Sequence, residues 1–190
     1  VTDPSIFVKF PVKGKQNEFL VIWTTTPWTI PFNLGVMVNP SLSYVRANVE
    51  NEVWIVAKAL ATSLINGIAE KQFSVLEELN GDRLIGLEYV HPFESEIHQF
   101  KELKQRHPKV HTVVLSEEYV DVSSGSGLVH MAPGCGPEDY EVGHRNNIPP
   151  FNTLTERGVF TGLIPFLAGL TAKKDDKKIT EELRKKGLLT

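Results

Sequence analysis

The sequence has one cysteine, Cys135, so it cannot form an internal disulfide, and we expect a reducing compartment. Long apolar runs are also missing, and a stretch such as 162–170 is interrupted by a proline, which excludes a transmembrane helix. Residues 1–4 contain no basic or apolar signal region and no initiator methionine, so we expect a segment of a longer chain without a signal peptide. Neither GxxxxGK followed by Ser or Thr nor GxGxxG occurs, which excludes the recognisable nucleotide-phosphate loops.

Charge of either sign is modest, with 20 basic and 23 acidic residues among 190 and a net charge of −3. Residues 173–186 carry seven basic and four acidic groups, so this segment is +3 and the rest of the chain is −6. The net negative charge of the rest of the chain argues against a protein that binds the phosphates of duplex nucleic acid. A pocket that receives only a single-stranded end remains compatible with this charge.

The hydrophobic pattern predicts one mixed α/β domain rich in short strands. Alternation and β-branched residues predict strands over residues 6–12, 18–25, 35–38, 44–49, 53–56, 73–79, 110–115, 119–122 and 128–132. Helical spacing and end signals predict helices over residues 57–68, 137–145 and 176–186, and residues 94–106 form a surface helix or an ordered loop. We expect a barrel-like or sandwich domain over 1–190, with a strand-rich body over 1–170 and a closing basic helical segment over 171–190.

The first motif whose side chains could bind a ligand or take part in a reaction covers residues 23–33 and reads WTTTPWTIPFN. Pro27 and Pro31 remove backbone donors, so they force the chain out of its strand after Thr26 and hold it rigid. Threonine hydroxyls and unpaired amides on such a turn can face a ligand. The plainer alternative is a threonine-rich strand end followed by a proline turn.

Residues 125–140 form the second motif and read GSGLVHMAPGCGPEDY. A strand ends at His130, a Gly/Pro loop follows, and a helix begins with Asp139 in its first turn. Amides at this helix end favour the charged form of Asp139, whose carboxylate can hold an ammonium group. The imidazole of His130 can polarise an oxygen or orient water, or it can be a hydrogen-bonded core histidine.

Two other chemistries are less well supported by the second motif. Cys135 near His130 and Asp139 suggests a cysteine nucleophile, but a lone cysteine in a Gly-rich loop is weak support for one. His130, Cys135, Asp139 and His144 could be proposed as zinc ligands, yet they lack CxxC or HExxH spacing.

The two motifs together, in this order and about 100 residues apart, resemble the editing domain of isoleucyl-tRNA synthetases. This domain is the connective-peptide insertion, and it is shared in outline with the valyl and leucyl enzymes. Thr26 and Trp28 favour the isoleucyl member, because valyl and leucyl relatives usually have Thr-Thr-Arg-Pro at this place. The resemblance covers nearly the whole chain and implies the class I editing-domain fold.

The resemblance also implies roles for individual residues. The segment that binds the terminal ribose and positions a hydrolytic water corresponds to Thr24, Thr25 and Thr26. The amino-acid pocket and its surroundings correspond to Trp28, Thr29, Asn33, Gly127, His130 and Asp139. Among these, His130 helps to exclude a larger side chain and Asp139 holds the substrate ammonium. Cys135 stands where relatives often have histidine, which argues against an essential thiol.

The implied reaction is hydrolysis of the ester in mischarged Val-tRNA(Ile), with no cofactor and no metal. One methylene in a hydrophobic pocket is worth only about 1–3 kcal/mol, a limit for which isoleucyl-tRNA synthetases are themselves the established example. The implied partners are the 3′-terminal aminoacyl-adenosine of tRNA(Ile) and the remainder of the synthetase, without a membrane, and we expect a cytoplasmic monomer.

The sequence leaves two alternatives to this reaction open. The first is a module that binds the tRNA end without catalysis, and the second is the editing domain of a valyl or leucyl relative. The HIGH and KMSKS signatures of the synthetic site are absent, so amino-acid activation is not expected from this segment.

Overall fold

One curled, eight-stranded sheet carries the fold in the computed structural model, which describes residues 5–190. The strands are β1 (Ile6–Pro11), β2 (Glu18–Thr24), β3 (Gly35–Val38), β4 (Ser43–Val49), β5 (Glu52–Ala57), β6 (Ser74–Asn80), β7 (Thr112–Leu115) and β8 (Leu128–Met131). Their order is β6-β4-β5-β2-β8-β3-β7, and β1 pairs with β2. The predicted mixed α/β, strand-rich fold is confirmed. Residues 1–4, on which the expectation about a signal peptide rests, lie outside the described residues.

Strand β2 is the branch point of the sheet. Antiparallel β1 pairs with β2 along its whole length, from Ile6 opposite Thr24 to Pro11 opposite Phe19. The other edge of β2 is divided between two parallel strands: its first half pairs with β5, and Trp23 pairs with Val129 of β8. Because one edge serves two strands, the sheet splits and curls, and the carboxyl ends of β2 and β8 become neighbours.

Both faces of the central strands are buried. Val8, Phe10, Leu20 and Ile22 face the larger hydrophobic core, whereas Phe7, Val21 and Trp54 face a smaller one. The alternating pattern of residues 6–12 is typical of a half-buried strand, and that prediction is wrong, since Phe7 is only 9% exposed and Lys9 only 8%. Helical residues such as Leu64 and Ile65 cover the second face.

Four α-helices lie in the described part of the chain: α1 (Lys58–Ala61), α2 (Gln99–Arg106), α3 (Pro137–Arg145) and α4 (Asp176–Lys185). Helix α1 continues as a wider π-helix over Thr62–Ile68, so the predicted helix over 57–68 is present with a change of pitch. Short 3₁₀ helices cover Pro27–Phe32, Gly81–Leu84 and Pro165–Leu167. Ile179 and Leu183 anchor α4 in the larger core. No helix within residues 5–190 is long and apolar enough to cross a membrane.

The predicted strand over residues 119–122 is wrong, because a turn ends at Tyr119 and the residues that follow have no regular secondary structure. Side chains satisfy its backbone locally. The Ser116 hydroxyl accepts a hydrogen bond from the Tyr119 amide at 3.2 Å, and the Asp121 carboxylate accepts one from the Ser123 amide at 3.1 Å. Only Val120 in this segment is buried. Hydrogen bonds to local Ser and Asp side chains thus replace the bonds to a neighbouring strand that the alternating pattern would predict.

Candidate active site

The candidate site lies where parallel strands β2 and β8 end side by side. Trp23 is paired with Val129, so the threonines that follow Trp23 lie beside His130. In open α/β sheets, ligands bind outside the carboxyl ends of the strands, where neighbouring connections diverge. The pairing therefore brings together two motifs that are about 100 residues apart in the sequence.

A cavity of about 480 Å³ opens between these strand ends. The predicted site residues that line it are Thr24, Thr25, Thr26, Thr29, Gly127, His130 and Asp139. Sequence reasoning missed a further part of its wall, which consists of Trp23, Tyr119, Asp121, Ser123 and Ser124. The run of Asp, Ser and Gly over residues 121–127 was the available signal for this loop, because these residue types favour turns.

The threonines form a polar rim that is organised by the proline turn, Pro27–Phe32. The Thr24 hydroxyl accepts a hydrogen bond from the Thr26 amide at 3.1 Å, and the two hydroxyl oxygens are 3.3 Å apart. Thr24 is buried and Thr25 is exposed. Pro27 lies at the start of the 3₁₀ helix, where its missing amide is tolerated and its fixed φ favours the change of direction.

His130 is held at both ring nitrogens by neighbours from the first motif. The Gly35 carbonyl can only accept, so the Asn33 amide nitrogen donates to it at 2.8 Å and donates its second hydrogen to His130 Nδ1 at 3.3 Å. The Nε2–H of His130 then donates to the Thr29 hydroxyl at 2.8 Å. That hydroxyl donates to the Thr26 carbonyl at 2.9 Å. Burial lowers the pKa of His130 to about 4, so the imidazole is neutral at pH 7.

Two more buried histidines hold the proline turn from behind. His91 accepts a hydrogen bond from the Phe93 amide at Nδ1, and its Nε2–H donates to the Ile30 carbonyl at 2.8 Å. The Nε2–H of His111 donates to the Asn33 carbonyl at 3.0 Å. Burial lowers the pKa of His91 well below its usual value and that of His111 to about 3. Three neutral histidines from separate parts of the chain therefore hold the segment of the proline turn and Asn33, and of the three only His130 lines the cavity.

Asp139 faces the threonine rim from the first turn of α3. Its carboxylate accepts a hydrogen bond from the Ala132 amide at 2.9 Å. The expectation that the helix end favours the charged form of Asp139 needs correction, because burial outweighs that hydrogen bond and raises its pKa to about 6, so the carboxyl is mostly ionised only above that pH. A cationic ligand beside the carboxylate would reverse the shift, since an opposite charge favours the ionised form.

Cys135 borders the same cavity, but its thiol is not activated. Burial, together with the negative charge of Asp139, raises the pKa of Cys135 to about 12, so almost no thiolate exists at pH 7. No group of three or more His, Cys, Asp or Glu side chains in residues 5–190 could hold a metal ion. His130, Cys135, Asp139 and His144 accordingly form no such group.

For the ester hydrolysis that the sequence resemblance implies, Cys135→Ser is expected to change the rate by less than about threefold, because a protonated thiol contributes no nucleophile. Single-turnover deacylation of a valyl ester, with the wild-type chain in parallel, measures the effect. A large loss of rate in a variant that keeps its thermal stability, or an acyl-thioester trapped on Cys135, would contradict the prediction.

Gly127 has a structural reason to be glycine. Its φ is +80°, and a Cβ at this position would lie 2.3 Å from the Cβ of Ala57. Its carbonyl accepts a hydrogen bond from the Tyr44 hydroxyl at 2.6 Å, and the adjacent Ser126 hydroxyl donates to the Val21 carbonyl at 2.6 Å. The Gly-Ser-Gly turn thus ties the start of β8 to β2 and places the backbone of Gly127 in the cavity wall.

Two predicted pocket residues lie elsewhere. Asn33 is completely buried behind the cavity and contacts it only through His130. Trp28, expected in the same wall as Thr29, lies against a second cavity instead. The reason is the 3₁₀ geometry of the proline turn, in which successive side chains point about 120° apart, so Trp28 and Thr29 cannot share one face.

Solved structures with the same architecture define the class. A leucyl-tRNA synthetase CP1 domain, GlLeuRS-CP1, superposes with a TM-score of 0.74 at 13% identity and covers 98% of both chains. The editing domain of the P. knowlesi cytosolic leucyl-tRNA synthetase gives a TM-score of 0.70 at 12% identity, covering 98% of this chain and 94% of that one. The fold is therefore that of the connective-peptide editing domain of class I aminoacyl-tRNA synthetases.

Sequence similarity narrows the class to one family, although no family model matches the chain. Isoleucine–tRNA ligases from Pyrococcus abyssi and Aquifex pyrophilus are 46% and 42% identical to it over 98% of its length. The chain belongs to the isoleucyl-tRNA synthetase family. It spans 18% of the length of the Pyrococcus ligase and 36% of the Aquifex sequence, so it corresponds to one segment of such an enzyme.

Proposed function

We propose that this chain hydrolyses the ester of mischarged Val-tRNA(Ile), as the editing domain of an isoleucyl-tRNA synthetase. The observation that carries the proposal is the cavity in which the threonine rim of β2 faces Asp139 and His130 across the ends of two strands. The size and polarity of this cavity suit an aminoacyl nucleoside. The proposed partners are the 3′ end of tRNA(Ile) and the remainder of the synthetase, in the cytoplasm.

Each side of the cavity has a separate task in this proposal. The carboxylate of Asp139 accepts a charge-assisted hydrogen bond from the α-ammonium of the amino acid in a partly buried site. Thr24, Thr25 and Thr26 supply hydroxyls to the terminal ribose and to a water molecule. His130 forms a fixed wall near the amino-acid side chain, because both of its ring nitrogens are already bonded to the protein.

Catalysis by positioning is consistent with these groups. His130 is neutral with both nitrogens engaged, and the Cys135 thiol is protonated, so neither is a ready base or nucleophile. An aminoacyl ester is already activated, and a water held in line by hydroxyls has a large entropic advantage over one from bulk solvent. Polar donors near the carbonyl would stabilise the developing oxyanion.

Deacylation assays with Val-tRNA(Ile) and Ile-tRNA(Ile) test the proposal directly. We expect faster release of valine than of isoleucine by this chain. Binding of either tRNA without acceleration over the uncatalysed rate would favour the alternative, a module that binds the tRNA end without catalysis. Preferential clearance from tRNA(Val) or tRNA(Leu) would assign the domain to a valyl or leucyl relative.

His130→Ala is expected to extend hydrolysis to Ile-tRNA(Ile), with a gain of about 10- to 100-fold, because one excess methyl group against a packed wall costs about 1–3 kcal/mol. The measurement is the ratio of kcat/KM for the isoleucyl and valyl esters. Removing the imidazole also takes one hydrogen-bond partner from each of Asn33 and Thr29, so thermal stability is measured in parallel. Loss of valyl hydrolysis without any gain for isoleucyl would instead identify His130 as an orienting group for the reaction.

A further inference from the structure

A second cavity, of about 550 Å³, adjoins the first and shares Thr25 and Thr26 with it. Ile6, Pro27 and Trp28 provide an apolar lining on one side, and the opposite side is formed by α4 and the residues before it. The Nε1–H of Trp28 is buried and has no acceptor among residues 5–190. The function proposed above does not use this cavity.

The cations of the closing segment divide into two groups according to their position. The three that lie away from the second cavity are paired with carboxylates: Lys178 and Lys185 with Glu182, and Lys186 with Glu96. The four that line the cavity, namely Lys173, Lys174, Lys177 and Arg184, form no ion pair with any residue of the described chain. Asp176 and Glu181 also line it, so the cavity wall is positive by two charges.

We propose that the second cavity binds the single-stranded nucleotides immediately upstream of the tRNA terminal adenosine. This inference rests on the proposed function, which places the terminal aminoacyl-adenosine in the first cavity. A strand that ends there can pass over the shared threonines into the second cavity without leaving the surface. Cations that form no ion pair among residues 5–190 suit its phosphates, and Trp28 offers an aromatic surface on which a base can stack.

The charge pattern favours RNA over a protein partner of neutral character. Unpaired lysines and an arginine beside an indole are the two components by which proteins hold single-stranded nucleic acid: a cationic track and a stacking platform. The mainly acidic body explains why this contact is confined to one segment, since duplex phosphates would be repelled elsewhere. The closing basic segment therefore acts as the guide for the strand that enters the catalytic cavity.

The test compares two substrates with a triple variant, Lys173→Ala/Lys177→Ala/Arg184→Ala. The substrates are valyl-adenosine, which reaches only the first cavity, and the valyl ester of a trinucleotide that ends in adenosine. We expect KM for the trinucleotide ester to rise about 10- to 100-fold in the triple variant. The slope of log KM against log salt concentration should become smaller by about 2. Hydrolysis of valyl-adenosine should be unchanged. The matched control is Lys178→Ala/Lys185→Ala/Lys186→Ala, which removes three paired cations from the same segment and should leave both KM values unchanged.

Affinity for the unacylated trinucleotide, measured by fluorescence anisotropy, separates this proposal from the proposed function. If wild-type chain hydrolyses neither ester but binds the trinucleotide through the three cations, the proposed function is overturned and the RNA site stands. Equal affinities in the wild type and the cavity variant would overturn the RNA site. An equal loss in the two triple variants would also overturn it, since general charge would then account for binding.

Discussion

Asp139→Ala is expected to lower the deacylation rate of Val-tRNA(Ile) by about 100-fold or more, because it removes the only partner proposed for the substrate ammonium in a partly buried site. The folded state should survive, since the substitution removes one hydrogen bond to the Ala132 amide, worth about 1 kcal/mol. Single-turnover deacylation at pH 7.5 gives the rate, and thermal unfolding verifies the fold.

The neighbouring Glu138→Ala provides the control, because Glu138 is exposed in the same helical turn and does not line the cavity. The pH profile adds an independent readout. In the substrate-free chain the pKa of Asp139 is about 6, so kcat/KM of the wild type should fall as the pH decreases through 6. Equal rates for Asp139→Ala and the wild type under matched conditions would remove Asp139 from the site.

Acid is expected to destabilise the fold strongly, because three histidines are buried in the neutral form. Their pKa values are lower in the folded chain than the ordinary 6.5, so the unfolded chain binds more protons and stability falls as the pH drops below 6.5. The loss continues down to about pH 4 for His130 and about pH 3 for His111. These shifts correspond to roughly 3 kcal/mol for His130 and roughly 5 kcal/mol for His111.

Asp139 acts in the opposite direction over part of this range. Its raised pKa means that the folded chain binds the extra proton, so its contribution to stability is present below pH 3.8 and is lost as the pH rises through 6. The magnitude is roughly 3 kcal/mol, smaller than that of the histidines together. The free energy of unfolding should therefore decrease by several kcal/mol between pH 7 and pH 4.

Urea unfolding at a series of pH values measures this decrease. His111→Asn is the informative variant, because asparagine tolerates the positive φ of 60° at this position and does not titrate. This variant should lower the number of protons taken up on unfolding by close to one. His144→Asn, at an exposed histidine, is the matched control. A flat stability curve in the wild type from pH 7 to pH 4 would contradict the assignment of neutral buried histidines.

Local sequence signals predicted most of the elements in the fold. Strand β3 and helix α3 were predicted with the bounds that the structure shows, because glycine, proline and charged residues mark their ends. The irregular segment over 119–122 was missed, because Val120 and Val122 alternate with polar residues as they would in a strand. The side-chain hydrogen bonds that satisfy this backbone cannot be read from the sequence. The change of pitch within 57–68 has no sequence signal that we can identify.

The candidate site was predicted in its composition but not in its internal connections. The two motifs supplied Thr24, Thr25, Thr26, His130 and Asp139, all of which the structure places around one cavity. The bonds of His91 and His111 to the proline turn depend on contacts between residues 61 and 78 positions apart. Such long-range contacts arise from packing, which neither periodicity nor motif spacing encodes.

The single bridge between Trp23 and Val129 also has a consequence for the order of events during synthesis. Closing a loop of this length carries a substantial entropic penalty, and contacts of high sequence separation form late in folding. A nascent chain that has exposed the threonine motif alone has no wall opposite it, because β8 and α3 have not yet emerged from the ribosome. The cavity between the two motifs is therefore complete only after residue 145, the end of α3, has become available to fold.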